Sequence, residues 1–500
     1  MSRTRIVKGK YTKIVAGDYN ISAEGNIVSN AMTEVREMGE TDGVYYGAFE
    51  RKGSTVNEDF DIHFSLKKDS PYNTVVPMGI LDFEGEFENA FFAFNFSLVM
   101  SNVDSLKFEI LDAEGKEIFA VTNLPEMVIV GSRHPKLVQD IAKKKPVFDP
   151  VKPKNTWEWK PLFEMYNTPP VDYTKIGSYV LLWDGFNNEG IYDSTNFNNK
   201  TLTAKVTGEK AGVKKTKEVT FSTSGQKAAW VDVKIDKNNK KIETTLRVEL
   251  VDGGANGIDC VEQDIDPDPK VYVAAKSCPW DKIPASDIRP GNPILKSRTR
   301  SFADLEKLAI DGLNYHWGRN SGHQEAKHVK ISNEPYEVYI NAVNTTEQAM
   351  DDVSLVYNTN GDWMRSGNPG SATWSPVSWI GNMVSREAVC YNVGYIKYSN
   401  GWGYSREHGE DLEFSFTAAH EIGHEILKSY GTTVYSYGHK GSVNYVTQSR
   451  KDDAPAYPAS GEIDIMPYYP VDPPHSAFKR YAAAEKDVLG LIWLTKITVQ

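Results

Sequence analysis

Residues 417–431, TAAHEIGHEILKSYG, constrain this 500-residue chain more tightly than any other stretch. They contain His420-Glu421-Ile422-Gly423-His424. Residues four apart share one face of an α-helix, so His420 and His424 can aim ring nitrogens at one metal ion with Glu421 beside them. The stretch must therefore be helical for that chemistry to exist. Phe416, Ala419, Gly423, Ile426 and Leu427 supply an apolar stripe for burial. Ser415 or Thr417 suits the N-cap, and Gly431 suits a left-handed end.

Two histidines do not complete a metal site, and a catalytic one needs a third protein ligand and an open position. Downstream, His439 sits among glycines in YGHKG, which lets the backbone swing back under the helix. His439 is the favoured third ligand, with Glu462, Asp464, His475 and Glu485 as the alternatives. Glu485 suits a ligand offered from a second helix, whereas Glu462 is hemmed in by Gly461 and Pro467. His316, His323 and His328 have spacings that match no ligand pair on one element, so they are read as structural.

Ile465-Met466-Pro467-Tyr468 resembles the Met-turn of the metzincins, the zinc endopeptidases that include matrixins and astacins. Tyr468, two places after Met466, stands where astacins carry their transition-state tyrosine. The C-terminal AEKDVLGLIWL, with Asp487, Val488, Gly490 and Leu491, resembles the closing matrixin helix. A helix from Ser301, then strands, then the His420 helix is also similar to the family order. The resemblance implies an α+β metallopeptidase domain over residues 265–500. It further implies Zn2+ held by His420, His424 and His439, Glu421 as general base, and Tyr468 or its neighbour Tyr469 as oxyanion donor. A protein or peptide substrate follows from the same likeness. The chain departs from the family at Leu427 and Tyr430, where metzincins continue with glycine and histidine, so the motif does not itself fix the third ligand.

The N-terminus carries a different signal. From Val7 it reads as octads, VKGKYTKI, VAGDYNIS, AEGNIVSN and AMTEVREM. Gly9, Gly17 and Gly25 recur, with Thr33 in the fourth place; Val7, Val15, Ala23 and Ala31 keep step with them. An eight-residue period fits a strand that turns one corner per repeat. It resembles the octads of the three-chain β-helix in phage tail spikes and in the VgrG spike of type VI secretion. That likeness implies a spike segment over residues 1–40, a homotrimer, and spike or tube components as partners.

Between these ends the chain reads as strands. Residues 41–135 suit one β-sandwich, with Phe91-Phe92-Ala93-Phe94-Asn95-Phe96 as a core strand and His63 as a packed or surface residue. A Lys- and Pro-rich connector precedes a second sandwich over residues 155–252, whose YVLLWDGFNNEGIYDS resembles the immunoglobulin-like domain of flagellar hook-capping proteins. Asp184, Asn187, Asn188 and Glu189 there read as a polar hairpin loop rather than a calcium site. A Pro- and Asp-rich loop over residues 254–299 reads as a linker or wrapping segment. Ser301 and Asp304 form a capping box for a helix to about Trp317.

The net charge of −11 excludes a phosphate-coating nucleic-acid binder. Three cysteines give no disulfide framework, although Cys260 and Cys278 can pair. No apolar run has the length of a signal peptide or a membrane span. The expected protein is multidomain: a β-helical spike segment, two all-β sandwich domains and an α+β zinc metallopeptidase. Its expected role is a toxin endopeptidase of a contractile injection system, cytoplasmic before export without a cleaved leader and matched by an immunity protein. The alternatives are a zinc amidase of peptidoglycan stems, a structural or adhesive spike with a structural zinc, and a secreted nutritional protease.

Overall fold

The computed structural model describes residues 59–86, 88–122, 173–264, 274–367, 387–444, 448–471 and 474–500. The chain divides into Met1–Asn57 and Glu58–Gln500, and all that follows concerns the second unit. The octads expected to form a spike lie outside the described residues. Among those described, the fold is mostly β, in several sheets with few helices.

Two antiparallel sheets face each other. One places β3 (Phe92–Val99) between β1 (Asp61–Lys67) and β6 (Gly177–Trp183). The other runs from β5 (Glu117–Thr122) through β4 (Ser105–Leu111) and β8 (Thr201–Lys210) to β9 (Val213–Ser222). Phe92, Phe94 and Phe96 of β3 are wholly buried, and the Phe94 ring lies 5.6 Å from both Phe108 and Phe221 of the opposite sheet. The aromatic run is thus a core strand, as its alternation predicts. The expectation of separate sandwiches over 41–135 and 155–252 is corrected, because strands of the two intervals share both sheets. Taken alone, the first interval would leave β3 and β4 each with an open edge, and β6 and β8 close them.

A mixed sheet follows, with β16 (Glu334–Asn344) between β15 (Val329–Ile331) and β11 (Lys241–Val248), then β10 (Val231–Asp236) and β7 (Ile191–Asp193). Past Glu249 the chain continues as β12 (Leu250–Asn256), parallel to β17 (Val353–Asn358), itself parallel to β19 (Ala388–Asn392). The domain expected to begin at residue 265 therefore draws strands from as early as β7, at residue 191. β11 pairs in parallel with β16, Lys241 opposite Glu337, a partner that local pattern cannot announce.

The expected linker contains a hairpin, β13 (Val261–Asp264) with β14 (Ala274–Ser277), flanked by the Cys260–Cys278 disulfide. The polar loop at Asp184 is spent on its own turn. Asn187 accepts from the backbone N–H of Glu189 and Ile191, and Asp184 pairs with Lys237.

Helix α1 (Phe302–Trp317) starts in the expected capping box, Ser301 accepting from the Asp304 N–H and Asp304 from the Ser301 N–H. It buries Leu305, Ala309 and Leu313. Helix α2 (Glu407–Tyr430) carries His420 and is capped at Arg406, ahead of both Ser415 and Thr417, the expected caps. Glu407 and Glu410 occupy its first turn, and the Glu407 carboxylate suits the positive helix end. Gly431 ends the helix with its N–H donating to the Leu427 carbonyl at 2.8 Å, yet its φ of −107° is not left-handed. A Cβ there would stand 2.8 Å from the Phe83 ring, so close approach rather than backbone handedness calls for glycine.

Short pairings complete the frame around α2. β18 (Gly361–Asp362) lies beside β20 (Gly394–Tyr398), which pairs with β21 (Gly401–Ser405). Below the helix, α3 (Thr433–Tyr437) follows Gly431, and β22 (Ile463–Asp464) pairs with β23 (Tyr481–Ala482). Helix α4 (Glu485–Trp493) leads to β24 (Ile497–Thr498), which pairs with β2 (Thr74–Val75) and ties the chain's end to the sandwich.

Candidate metal centre

His420 and His424 project from one face of α2, and His439 comes up from the turn after α3. All three are buried, and their ligand-capable atoms lie within 4.8 Å of one another. Oxygen partners fix each imidazole tautomer. His420 Nδ1 donates to the Ile465 carbonyl at 2.7 Å, and His439 Nδ1 donates to the Tyr437 carbonyl at 3.1 Å. The Ser436 hydroxyl gives its single proton to the His424 carbonyl at 2.6 Å, so His424 Nδ1, 3.2 Å away, must be the donor to Ser436 Oγ. Each ring is thus left with an unprotonated Nε2. Outer oxygens that orient imidazoles in this way are what metal-ligating histidines use.

The electrostatics agree. Burial holds His420 down to about 4 and keeps His424 and His439 well below the usual histidine range, so all three are neutral and keep a lone pair. His420 Nε2 is buried with no hydrogen-bond partner among the described residues. Three neutral imidazoles and an orphaned buried nitrogen fit a divalent metal of the zinc type. The group has three members among the described residues.

The alternative ligands are used elsewhere. Glu462 pairs with Arg319 at 2.6 Å, Glu485 accepts from the Lys330 N–H, and Asp464 pairs with Lys440. The side chain of His475 lies outside the described residues. His316 and His323 both bond the Tyr481 carbonyl, at 2.8 and 3.0 Å, and so brace β23. His63 is exposed on β1.

The turn bearing His439 is only partly the one its glycines suggest. Gly441 takes a positive φ of 93°, but Gly438 has a φ of −79°, and His439 and Lys440 themselves take positive φ of 48° and 58°. The Lys440 ammonium is sunk between Asp464 and Asp487, and it stays charged because those carboxylates outweigh its burial. Ser442 adds a second tie, donating to the His439 carbonyl at 2.8 Å and accepting from the Tyr468 N–H at 2.8 Å. Neither anchor announced itself in the sequence.

Met466 is wholly buried beneath α2. A Cβ on Gly423 would stand 2.9 Å from its sulfur and 2.8 Å from the Trp317 ring, so glycine inside the histidine motif admits both. The Tyr468 ring lies 4.0 Å from that of His439 and 5.7 Å from that of His420. Burial, then the Glu421 carboxylate, raises its hydroxyl above the usual tyrosine range, which leaves it a proton donor. Tyr469 is different: its hydroxyl donates to the Asp464 carbonyl at 2.8 Å and is committed to the turn.

A cavity of about 590 Å³ opens beside the cluster. His420, Glu421 and Tyr468 line it together with Arg365, Glu410, Trp363 and Phe416. Burial pushes the Glu421 carboxyl up to about 7, with Arg365 pulling it the other way. A carboxyl poised there can take and return a proton near neutral pH.

No protein-family model and no curated protein matches the chain. Among solved structures, a Bifidobacterium dentium β-glucuronidase complexed with coumarin-3-O-glucuronide is similar at 10% identity and a TM-score of 0.13. The match covers 72% of this chain and 41% of that one, and so low a score carries no argument about fold or activity.

Proposed function

We propose that this chain is a zinc-dependent endopeptidase. The observation that carries the reading is the convergence of three neutral, oriented imidazoles beside a cavity that His420, Glu421 and Tyr468 line. Three protein ligands among the described residues are the complement of a catalytic rather than a structural ion. His420, His424 and His439 would hold Zn2+, which when bound supplies Lewis acidity to a carbonyl and a water molecule.

The chain's own groups do the rest. Glu421 accepts the proton of the attacking water and delivers it to the departing amide nitrogen, so a C–O bond replaces the C–N bond and a carboxylate and an amine leave. Tyr468 donates to the oxygen that gains charge. Burial and the paired Nδ1–H donors hold the rings in place between turnovers.

The test is zinc content and cleavage of an unfolded protein by wild type, Glu421→Gln and His439→Ala. Wild type should hold about one zinc and cleave. Glu421→Gln should keep the metal and lose cleavage by about 10²-fold or more, and His439→Ala should lose both. Cleavage that survives Glu421→Gln, or zinc that survives His439→Ala, sinks the assignment. Activity on purified sacculi but not on unfolded protein moves the substrate to peptidoglycan stems.

Delivery by a contractile apparatus, with a homotrimeric spike segment and an immunity partner, is proposed on the octads of residues 1–40 alone. The Cys260–Cys278 disulfide supports work in an oxidising compartment. No described helix is long and apolar enough to cross a membrane.

A further inference from the structure

The segment after β18, Trp363 to Gly367, carries one cation to the rim of the metal centre. Asn392 of β19 clamps the backbone just before it, accepting from the Met364 N–H and donating to the Met364 carbonyl, both at 3.0 Å. On the other side Ser366 Oγ accepts from the Cys390 N–H at 3.0 Å, and the Gly367 N–H donates to the Ala388 carbonyl at 2.9 Å. Asn392 is itself held, by Asn358 at 2.8 Å through its carboxamide and by Glu410 at 2.6 Å through its N–H. Arg365 sits between these anchors and lines the cavity with His420, Glu421 and Tyr468. Its guanidinium lies within hydrogen-bonding reach of the Tyr468 hydroxyl, and its charge also acts on Glu421, His420 and His439.

A permanent cation held by its own backbone frame beside three neutral imidazoles does nothing to retain a metal ion, which it repels. Its five donors are suited to an anionic oxygen instead. Beside Glu421 the cavity wall offers the Tyr468 hydroxyl as a neutral donor and Arg365 as the cation whose charge reaches Glu421 and the histidines, while Arg450, a second cation in the lining, acts on Tyr468. That arrangement is wasteful for a resting amide and productive for one whose oxygen is becoming an oxyanion.

We propose that Arg365 is a further catalytic residue, whose guanidinium donates, together with the Tyr468 hydroxyl, to the carbonyl oxygen that gains negative charge during attack. The inference rests on the peptidase reading above. It makes the loop from Trp363 to Gly367 part of the active site, although that loop precedes the histidine motif by more than fifty residues.

The experiment uses the full chain and Arg365→Ala and Arg365→Lys variants, loaded with Co2+ as a spectroscopic probe and, separately, with Zn2+. The visible spectrum of the cobalt proteins should be the same in all three, which establishes that the fold and ligand set are intact. Inorganic phosphate, titrated into the cobalt proteins, should perturb the spectrum with at least tenfold weaker affinity in Arg365→Ala and an intermediate loss in Arg365→Lys. With zinc, kcat on an unfolded protein should fall about 10²- to 10³-fold in Arg365→Ala while KM moves little. Unchanged phosphate affinity with unchanged kcat overturns the inference alone. So does a rise confined to KM, because that assigns Arg365 to a resting carboxylate of the substrate. A wild type that takes up cobalt yet cleaves neither unfolded protein nor sacculi removes the peptidase reading, and the inference with it.

Discussion

The Lys440 ammonium lies 2.6 Å from a carboxylate oxygen of Asp487, a residue with no exposed surface, and Asp464 grips it from the other side. Lys440 follows His439, and Asp464 lies two residues before Met466, whose N–H it accepts at 3.1 Å. The triad therefore fastens the third imidazole to the turn beneath the metal and to α4. Asp487→Ala leaves a buried cation half compensated, and it also takes away the acceptor of the Tyr435 hydroxyl at 2.9 Å. The expected cost is ~3–5 kcal/mol of stability. Metal affinity should fall with it, because His439 loses its anchor. Chemical denaturation and chelator competition read the two effects; an unchanged zinc affinity in a folded variant would detach the triad from the site.

Gly423→Ala tests how closely Met466 and Trp317 support the helix. On an exposed helix the change should stabilise by up to ~1 kcal/mol. Here the new methyl meets the Met466 sulfur at 2.9 Å and a Trp317 ring carbon at 2.8 Å, and the Trp317 indole is itself fixed by donating to the Ala419 carbonyl at 3.0 Å. The ring cannot yield, so a net loss of ~1–3 kcal/mol is expected. A raised melting temperature would show that the helix and its support are free to separate.

What the sequence made legible was what is local. The spacing of His420 and His424 demands a helix, and Ser301 with Asp304 demands a start, so both were read correctly from a few residues. His439 was also within reach, though only partly for the reason that holds it: positive φ falls on His439 and Lys440 as well as on Gly441, and buried charge pairs keep it there. The true start of α2 was readable in Glu407 and Glu410, acidic residues in a first turn. The sheets were not. Alternation in residues 241–248 announces a strand, but nothing in it names Glu334–Asn344 as a parallel partner. The merging of two expected sandwiches into one has the same cause, since edges are closed by distant segments. Arg365 and Ser436 escaped for that reason too, each carrying its role only through a fold that brings it beside the histidines.

Ser436 offers a clean measure of ligand orientation. Its hydroxyl accepts from His424 Nδ1 and donates to the His424 carbonyl, so one group sets both the tautomer and the ring plane. Ser436→Ala removes it without touching a ligand. Loss of such an outer partner should weaken zinc binding by about 10- to 100-fold while the circular dichroism spectrum stays the same. Equal affinity in both proteins would mean that packing alone orients His424.

Glu410 should leave a pH signature separate from the metal. Burial, with the Glu413 carboxylate beside it and Asp411 near, raises its carboxyl from an ordinary 4.5 to about 8. Opposing hydrogen bonds come from the Asn392 N–H at 2.6 Å and the Ser405 hydroxyl at 3.3 Å, and they do not offset the burial. Below its ordinary value the group is protonated in both folded and unfolded chains and contributes no pH dependence. As pH rises, the unfolded chain releases the proton first, so the folded state binds more protons and stability declines until the folded group also ionises. Glu410→Gln removes that decline and keeps an acceptor for Asn392. The melting temperature of the variant relative to wild type should therefore climb by several degrees between pH 5 and pH 9. Taking the difference between the two proteins cancels every other titrating group they share. Parallel curves across that range would mean the Glu410 carboxyl ionises in the fold as it does in water, and that α2 bears no buried acid at its first turn.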